Sequence, residues 1–387
     1  MTQISIRKEL FPFLNISLYL NQIKPIRSIF VLNSSDEPKE NLELNITSDL
    51  PVMERFCFKV NEIPANSEVK IPLEQLKINR DFFNTISETE TAIIKIEIVQ
   101  NEEIIFSENW NLDVHPIEYF GGFEILPELI ASYITPNHPY VYKIKRKAIE
   151  ILEKEGLSTA FEGYQSNDPE RVLQIVSAIY TAVQNEQIVY SSLPPGYEIT
   201  GQRLRLLNTL QNEKFGNCID LSLLFAACLE AVDLNPIVII VRGHAFVGCW
   251  LNDDRFSETI NDDKSAITKR ISKGIREIAA WEATSICKGN NIVFGEALNL
   301  GESQLVEKED FLVSIDLKRA RTFRIRPLPL VAESNRIEID EEKIEQLEAE
   351  RMQTDFEIGK IYADELQSGT VVTTKQKIWE QIGRAHV

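Results

Sequence analysis

Cys218 and His244 are the residues of this chain whose types and surroundings suit nucleophilic chemistry: a thiol, and an imidazole to take its proton. Cys218 lies in Phe215-Gly216-Asn217-Cys218-Ile219-Asp220-Leu221-Ser222, directly ahead of the apolar run LLFAACLEAV. The Gly216-Asn217 pair predicts a turn, which puts the thiol at the opening of an apolar helix running to about Val232. Unpaired N–H groups and the positive dipole end at such a position favour a thiolate. Beyond Asn235-Pro236, IVIIV predicts a buried strand over 237–241, and after a Gly243 turn His244 opens a second strand that reaches Trp250. A helix followed by a hairpin can bring the ring beside the helix N-terminus.

The ring needs an acceptor to orient it. A polar helix is predicted over 262–273, and the strand after it, 277–284, offers Glu282. Asp263 and Asp220 compete for the role, although Asp220 better serves the first turn of its own helix, where negative charge is favoured. Gln202, in the turn Gly201-Gln202-Arg203, is a candidate oxyanion donor; the backbone N–H of Cys218 is the stronger one. Free cysteines are most often small buried apolar residues, and Cys57, Cys228, Cys249 and Cys287 are assigned to the core on that ground. His115 and His138 precede prolines and read as turn residues. One Cys and one His do not make a tetrahedral set, so no metal is expected, and no cofactor in this segment.

These residues need a scaffold, and the chain supplies two kinds. Over 1–117 it reads as short β segments (SIFVL, LELNIT, RFCFKV, AIIKIEIV, EIIFSENWNLDV) separated by turn clusters. Period-2 alternation at 42–46 and 94–98 predicts an all-β, immunoglobulin-like sandwich, a spacer or docking module. From Glu118 the pattern changes: helices are predicted over 127–134 and 140–152, and a third begins at the cap Asp168 with Pro169 in its first turn. Helices followed by strands predict a separate α+β domain over 118–330. Past Pro329 the composition turns acidic, and a solvated connector helix is expected within 331–381.

The length of 387 residues fits two or three such units. Lys+Arg 41 against Asp+Glu 59 leaves −18, which repels phosphate backbones and anionic lipid, so neither direct nucleic-acid binding nor membrane binding is expected here. Five cysteines, an odd number without a CxxC, argue against a disulfide framework and for reduced thiols in a cytoplasm. Glu9, Pro12, Asn15 and Asn21 break up the N-terminal apolar residues and spoil a signal-peptide core.

Gly216-x-Cys218, His244-Ala245-Phe246 and Trp281-Glu282-Ala283-Thr284 together resemble the transglutaminase-like superfamily of papain-fold cysteine enzymes. The resemblance implies that Cys218 is the nucleophile, His244 the base and Glu282 the ring-orienting carboxylate, acting on a protein or peptide amide. Glu282 departs from the family's Asp. A longer resemblance runs from about Ile4 to Trp379. Its blocks are 123–139 (FEILPELIASYITPNHP), Gly201-Gln202-Arg203-Leu204-Arg205, the Cys218 and His244 motifs, and Arg319-Ala320-Arg321 ahead of Pro327-Leu328-Pro329. They look like the N-terminal region of very large bacterial helicases with nuclease-like C-terminal domains. That implies a fragment whose partners are downstream helicase domains in cis, with ATP and Mg expected only for the missing part; no GxxxxGK[ST] is present in this sequence. A non-catalytic interaction module of such a helicase is the competing expectation. The final Ile382-Gly383-Arg384-Ala385-His386-Val387 matches the translation of a common sequencing adapter, so 382–387 is expected to be read-through.

Overall fold

Alternating apolar and polar residues sort the first part of the chain into two sheets. In the computed structural model, which describes residues 3–192, 201–272, 274–290, 292–307 and 310–329, one sheet is three-stranded and antiparallel. Its order is β1 (Ile4–Leu10), β3 (Ile26–Asn33), β6 (Ser67–Lys70). The other has the order β2-β8-β7-β4-β5, built from β2 (Phe13–Leu14), β4 (Lys39–Ser48), β5 (Phe56–Ile63), β7 (Glu90–Gln100) and β8 (Glu103–Val114). Every pairing is antiparallel except the short β2–β8 contact. Leu42, Leu44 and Ile46 of β4 and Ile94, Ile96 and Ile98 of β7 point inward and share a core with Ile29 and Val31 of β3. Cys57 corrects the expectation of a buried thiol: it is exposed on the edge strand β5, because alternation turns Phe56 inward and its neighbour out.

Between the sheets and the next core, Asn15, Asn217 and the asparagine of β3 show how short polar side chains are spent on backbone groups: Asn15 caps α1 (Ile16–Leu20) and also donates to Tyr119 O. Pro127–Tyr133 is a 3₁₀ run rather than the expected α-helix, entered through Leu126 at a φ of 54°. The α2 helix (Pro139–Lys154) starts at the cap His138, and α3 (Pro169–Gln184) at the expected cap Asp168.

The second core forms around a five-stranded antiparallel sheet of order β15-β17-β13-β14-β16. Its strands are β13 (Pro236–Val241), β14 (His244–Trp250), β15 (Ile260–Asn261), β16 (Ile278–Trp281) and β17 (Phe311–Asp316). Three minor strands, β9 (Tyr119–Phe120), β10 (Val189–Tyr190) and β11 (Gln202–Arg203), precede helix α4 (Leu207–Glu213) and β12 (Phe215–Gly216). Helix α5 (Cys218–Glu230) packs on β13 and β14, where Val238, Ile240, Ala245, Val247 and Cys249 share its core. The opposite face buries Ile239, Phe246 and Trp250 against Ile267 and Ile271 of α6 (Lys264–Ile271). Helix α7 (Phe294–Val306) covers the β16 edge, and α8 (Leu317–Thr322) follows β17.

Two blocks of the sequence resemblance meet here. Arg321 grips both carboxylate oxygens of Glu230 at 2.7 and 3.0 Å and also donates to the carbonyls of Ala131 and Ile134. The molecule is thus a mixed α and β structure with an N-terminal pair of sheets and a later helix-covered sheet. The expected connector over 331–381 and the residues 382–387 lie outside the described residues.

Candidate functional site

The first turn of α5 is fixed before any catalytic group enters. Asn217 accepts from Asp220 N at 3.0 Å and Asp220 accepts from Asn217 N at 3.0 Å, a reciprocal capping box with a carboxylate in the first turn. Asp220 is fully buried, and its remaining oxygen capacity is taken by Arg205 N at 2.9 Å and the Arg205 guanidinium at 3.1 Å. Burial pushes its carboxyl above the usual range, against the pull of those Asn217 and Arg205 bonds. Cys218 is therefore the first residue of a helix whose start is held on both sides.

The approach to that turn is also anchored. Strand β10 pairs in parallel with β12, Tyr190 opposite Gly216, and Ser191 N donates to Gly216 O. Lys214, at a φ of 55°, caps α4 and joins Lys147 in pairing with the buried Glu186, whose carboxyl those lysines hold down near about 2 in spite of its burial. The left-handed corner at Lys214 turns the chain from α4 into β12 and on to the thiol.

His244 opens β14 and Glu282 closes β16. The β14–β16 ladder ends at Val247 opposite Trp281. One step beyond, Glu282 falls opposite Phe246 and diagonal to His244, a separation of ~7–8 Å that a long side chain spans. His244 Nε2 lies 2.7 Å from Glu282 Oε2, while Oε1 accepts from Thr284 N at 3.0 Å and Thr284 Oγ1 at 2.7 Å. With Nε2 committed to the carboxylate, Nδ1 is the nitrogen left for the thiol, and the ring is hydrogen-bonded to Cys218. Burial pulls the imidazolium down, but the bonds to Cys218 and Glu282 outweigh it and push it up to about 10. Glu282 is held below the usual carboxylate range: its burial acts upward, and the His244 and Thr284 bonds win. The imidazole is thus shared between carboxylate and thiol, and the ring is poised to hold a proton.

The strand expected over 277–284 ends early because Glu282 caps a 3₁₀ turn, Ala283–Ile286. Its position is secured from the other side by α7. Glu282 N donates to Ala297 O at 3.0 Å, and Gly301 lies so close that a Cβ there would sit 2.6 Å from Ala280 O and from Trp281 Cα.

The other candidates are placed elsewhere. Asp263 is the exposed cap of α6, and its carboxyl is lowered by its bonds to Ser265. Gln202 is buried on β11 opposite Phe120, and neither carboxamide atom has a hydrogen-bond partner among the described residues. Both atoms are shut off from solvent. Cys228 is buried inside α5, and burial raises its thiol far above the ordinary range. All five cysteines are free.

Sequence reasoning missed Tyr190, and gave Arg205 no role beyond its place in a block of the resemblance. Burial, with Cys218 nearby, raises the Tyr190 hydroxyl to about 12. Its only sequence signal is an aromatic in a short β-prone run. Among the described residues no group of three or more His, Cys, Asp or Glu is arranged to hold a metal ion. No helix among them is long and apolar enough to cross a membrane. No family model, curated protein or solved structure matches the chain.

Proposed function

We propose that the helix-covered α+β part of this chain is a thiol-dependent acyl-transfer domain of transglutaminase-like type, acting on a protein or peptide amide. The observation that carries the reading is the convergence on one thiol of three separate elements: the start of α5, the His244 ring, and Glu282 at 2.7 Å from that ring. In the first half-reaction His244 Nδ1 takes the thiol proton as Sγ adds to the carbonyl carbon. The C–N bond then breaks, Nδ1–H protonates the departing amine, and a thioester remains. Water or an amine adds to the thioester, gives its proton to Nδ1, and releases Sγ. Glu282 keeps the proton on Nε2 throughout and stabilises the imidazolium. Hydrolysis, deamidation and transamidation share this thioester.

The resemblance to large helicases extends the reading. This chain would be the front of such a protein, its N-terminal sheets an immunoglobulin-like docking module, and ATP hydrolysis would belong to downstream domains. Five free cysteines suit a reducing cytoplasm. The experiment is alkylation at neutral pH read by peptide mass spectrometry: Cys218 is expected to label far faster than the other buried thiols, and equal labelling of Cys218 and Cys228 refutes the reading. A second reading, a module that keeps the fold for docking alone, is favoured by Cys218 being only 4% exposed. A Cys218→Ala form of the intact parent that keeps full biological activity would select it.

A further inference from the structure

A four-residue strap, 202–205, lies between the N-terminal sheets and the nucleophile and touches both. Gln202 and Arg203 pair antiparallel with Phe120 and Tyr119 at the exit from the sheets, and Leu204 N donates to Glu118 O at 2.8 Å. Gly201, at a φ of 80°, lets the strap approach so closely that a Cβ there would lie 2.4 Å from Phe120 O. The strand ends at Arg203, and the two arginines reach in different directions. Arg203 reaches back to Ser87 O and pairs with Glu88 at 3.3 Å in the loop before β7. Arg205 reaches forward, its guanidinium 4.2 Å above the Phe215 ring and on Asp220, the carboxylate that closes the capping box around Cys218.

We propose that Arg205 is a positioning residue for Cys218 and that the strap makes the N-terminal sheets a structural support of the thiol's reactivity. The inference rests on reading Cys218 as a nucleophile. The physical argument concerns charge and orientation together. Asp220 is a buried carboxylate in the same helical turn as the sulfur, and a bare negative charge there opposes a thiolate. Arg205 offsets that charge and pulls Asp220 toward the ionised form against its burial, so that Asn217 N stays bonded and the Asn217–Cys218 peptide keeps its direction. Remove the guanidinium and Asp220 must either take a proton, opening the capping box, or remain as an unpaired buried anion. His244 and Tyr190, the other groups that act on Cys218, are not altered by the substitution.

The test measures the rate of Cys218 alkylation by iodoacetamide against pH in the full chain, with far-UV circular dichroism and thermal melting as folding controls. Arg205→Met is expected to slow Cys218 about tenfold at neutral pH and move the rate–pH midpoint upward, the change expected from losing one charge-assisted hydrogen bond. Arg205→Lys restores most of the rate, and Arg203→Ala, at an exposed side chain, lowers it about threefold by loosening the strap. Arg7→Ala, on an exposed pair of the three-stranded sheet, changes nothing. Folded Arg205→Met with an unchanged rate and midpoint overturns the proposal while leaving the nucleophile reading intact. Should Arg205→Met not fold, an unchanged rate and midpoint in folded Arg203→Ala overturns it equally. Cys218 no faster than Cys228 in the unmodified chain removes both.

Discussion

Replacing Glu282 by Gln tests the ring-orienting role with the smallest change of shape. The side chain keeps its length, and its oxygen keeps accepting from Thr284 N and Oγ1. The carboxamide can then offer His244 only its NH₂, which forces Nε2 to accept and puts the ring proton on Nδ1, the nitrogen facing the thiol. That tautomer cannot take the thiol proton. The magnitude follows from the rise of the imidazolium from 6.5 to about 10, a preference of roughly 5 kcal/mol that Cys218 and Glu282 share. Losing the carboxylate's share is a matter of a few kcal/mol, on the order of tenfold or more in the imidazolium population. The assay is the pseudo-first-order alkylation of Cys218 between pH 5 and 10, read by mass spectrometry with Cys228 as the silent comparison. Glu282→Gln is expected to slow alkylation at neutral pH by ten- to a hundredfold, the range that ~1.4 to ~3 kcal/mol allows. A folded variant within twofold of the unmodified rate, with the same midpoint, refutes the reasoning.

The same pair predicts a stability profile. His244 is raised, so its contribution is complete below about 6.5 and is lost as pH climbs through about 10. Glu282 is lowered, so its contribution is present above its unfolded value of 4.5 and fades as pH falls below it. Urea unfolding of wild type against His244→Gln is expected to show the largest difference between those limits, and a difference that grows toward pH 10 contradicts it. Asn217→Ala removes the cap of α5 and is expected to cost ~1 kcal/mol in urea unfolding while slowing Cys218 alkylation. Gly301→Ala drives a methyl into the β16 backbone and is expected to cost ~1–3 kcal/mol, whereas Gly295→Ala in the same helix meets open space and is expected to stabilise by ~0.5–1 kcal/mol; equal melting temperatures for the two variants contradict the packing account.

The order of helix, hairpin and strand was legible because each signal is local. A Gly-Asn turn before an apolar run, an all-apolar strand, and a glycine turn before His244 need no knowledge of distant pairing, and the capping role of Asp220 follows from the same helix start. Period-2 alternation likewise foretold the inward faces of β4 and β7. Cys57 was misplaced by letting the general burial preference of cysteine outrank that alternation, which Phe56 and Val60 already obeyed. Tyr190 and Arg205 were not legible for a different reason. Tyr190 lies in one two-residue ladder, β10 with β12, and Arg205 two residues beyond another, β9 with β11, both too short to leave a period in the sequence.

Glu282 shows how far a motif can mislead about reach. Compared with the Asp expected from the sequence resemblance, its extra methylene reads as a change of reach, yet the register makes the longer side chain fit His244. The ladder between β14 and β16 stops at Trp281, the next residue is diagonal to His244 rather than opposite it, and the carboxylate must also serve Thr284 through its second oxygen. An Asp at this position would draw the carboxylate back by about one C–C bond, ~1.5 Å, turning a 2.7 Å contact into one beyond hydrogen-bonding range unless the strand moved. The strand is not free to move, because Ala297 O holds Glu282 N and Gly301 lies flush against Trp281. The carboxylate's length and the helix packed behind it therefore form one solution, and the glycine in α7 that carries no chemistry is part of what places the one that orients the ring.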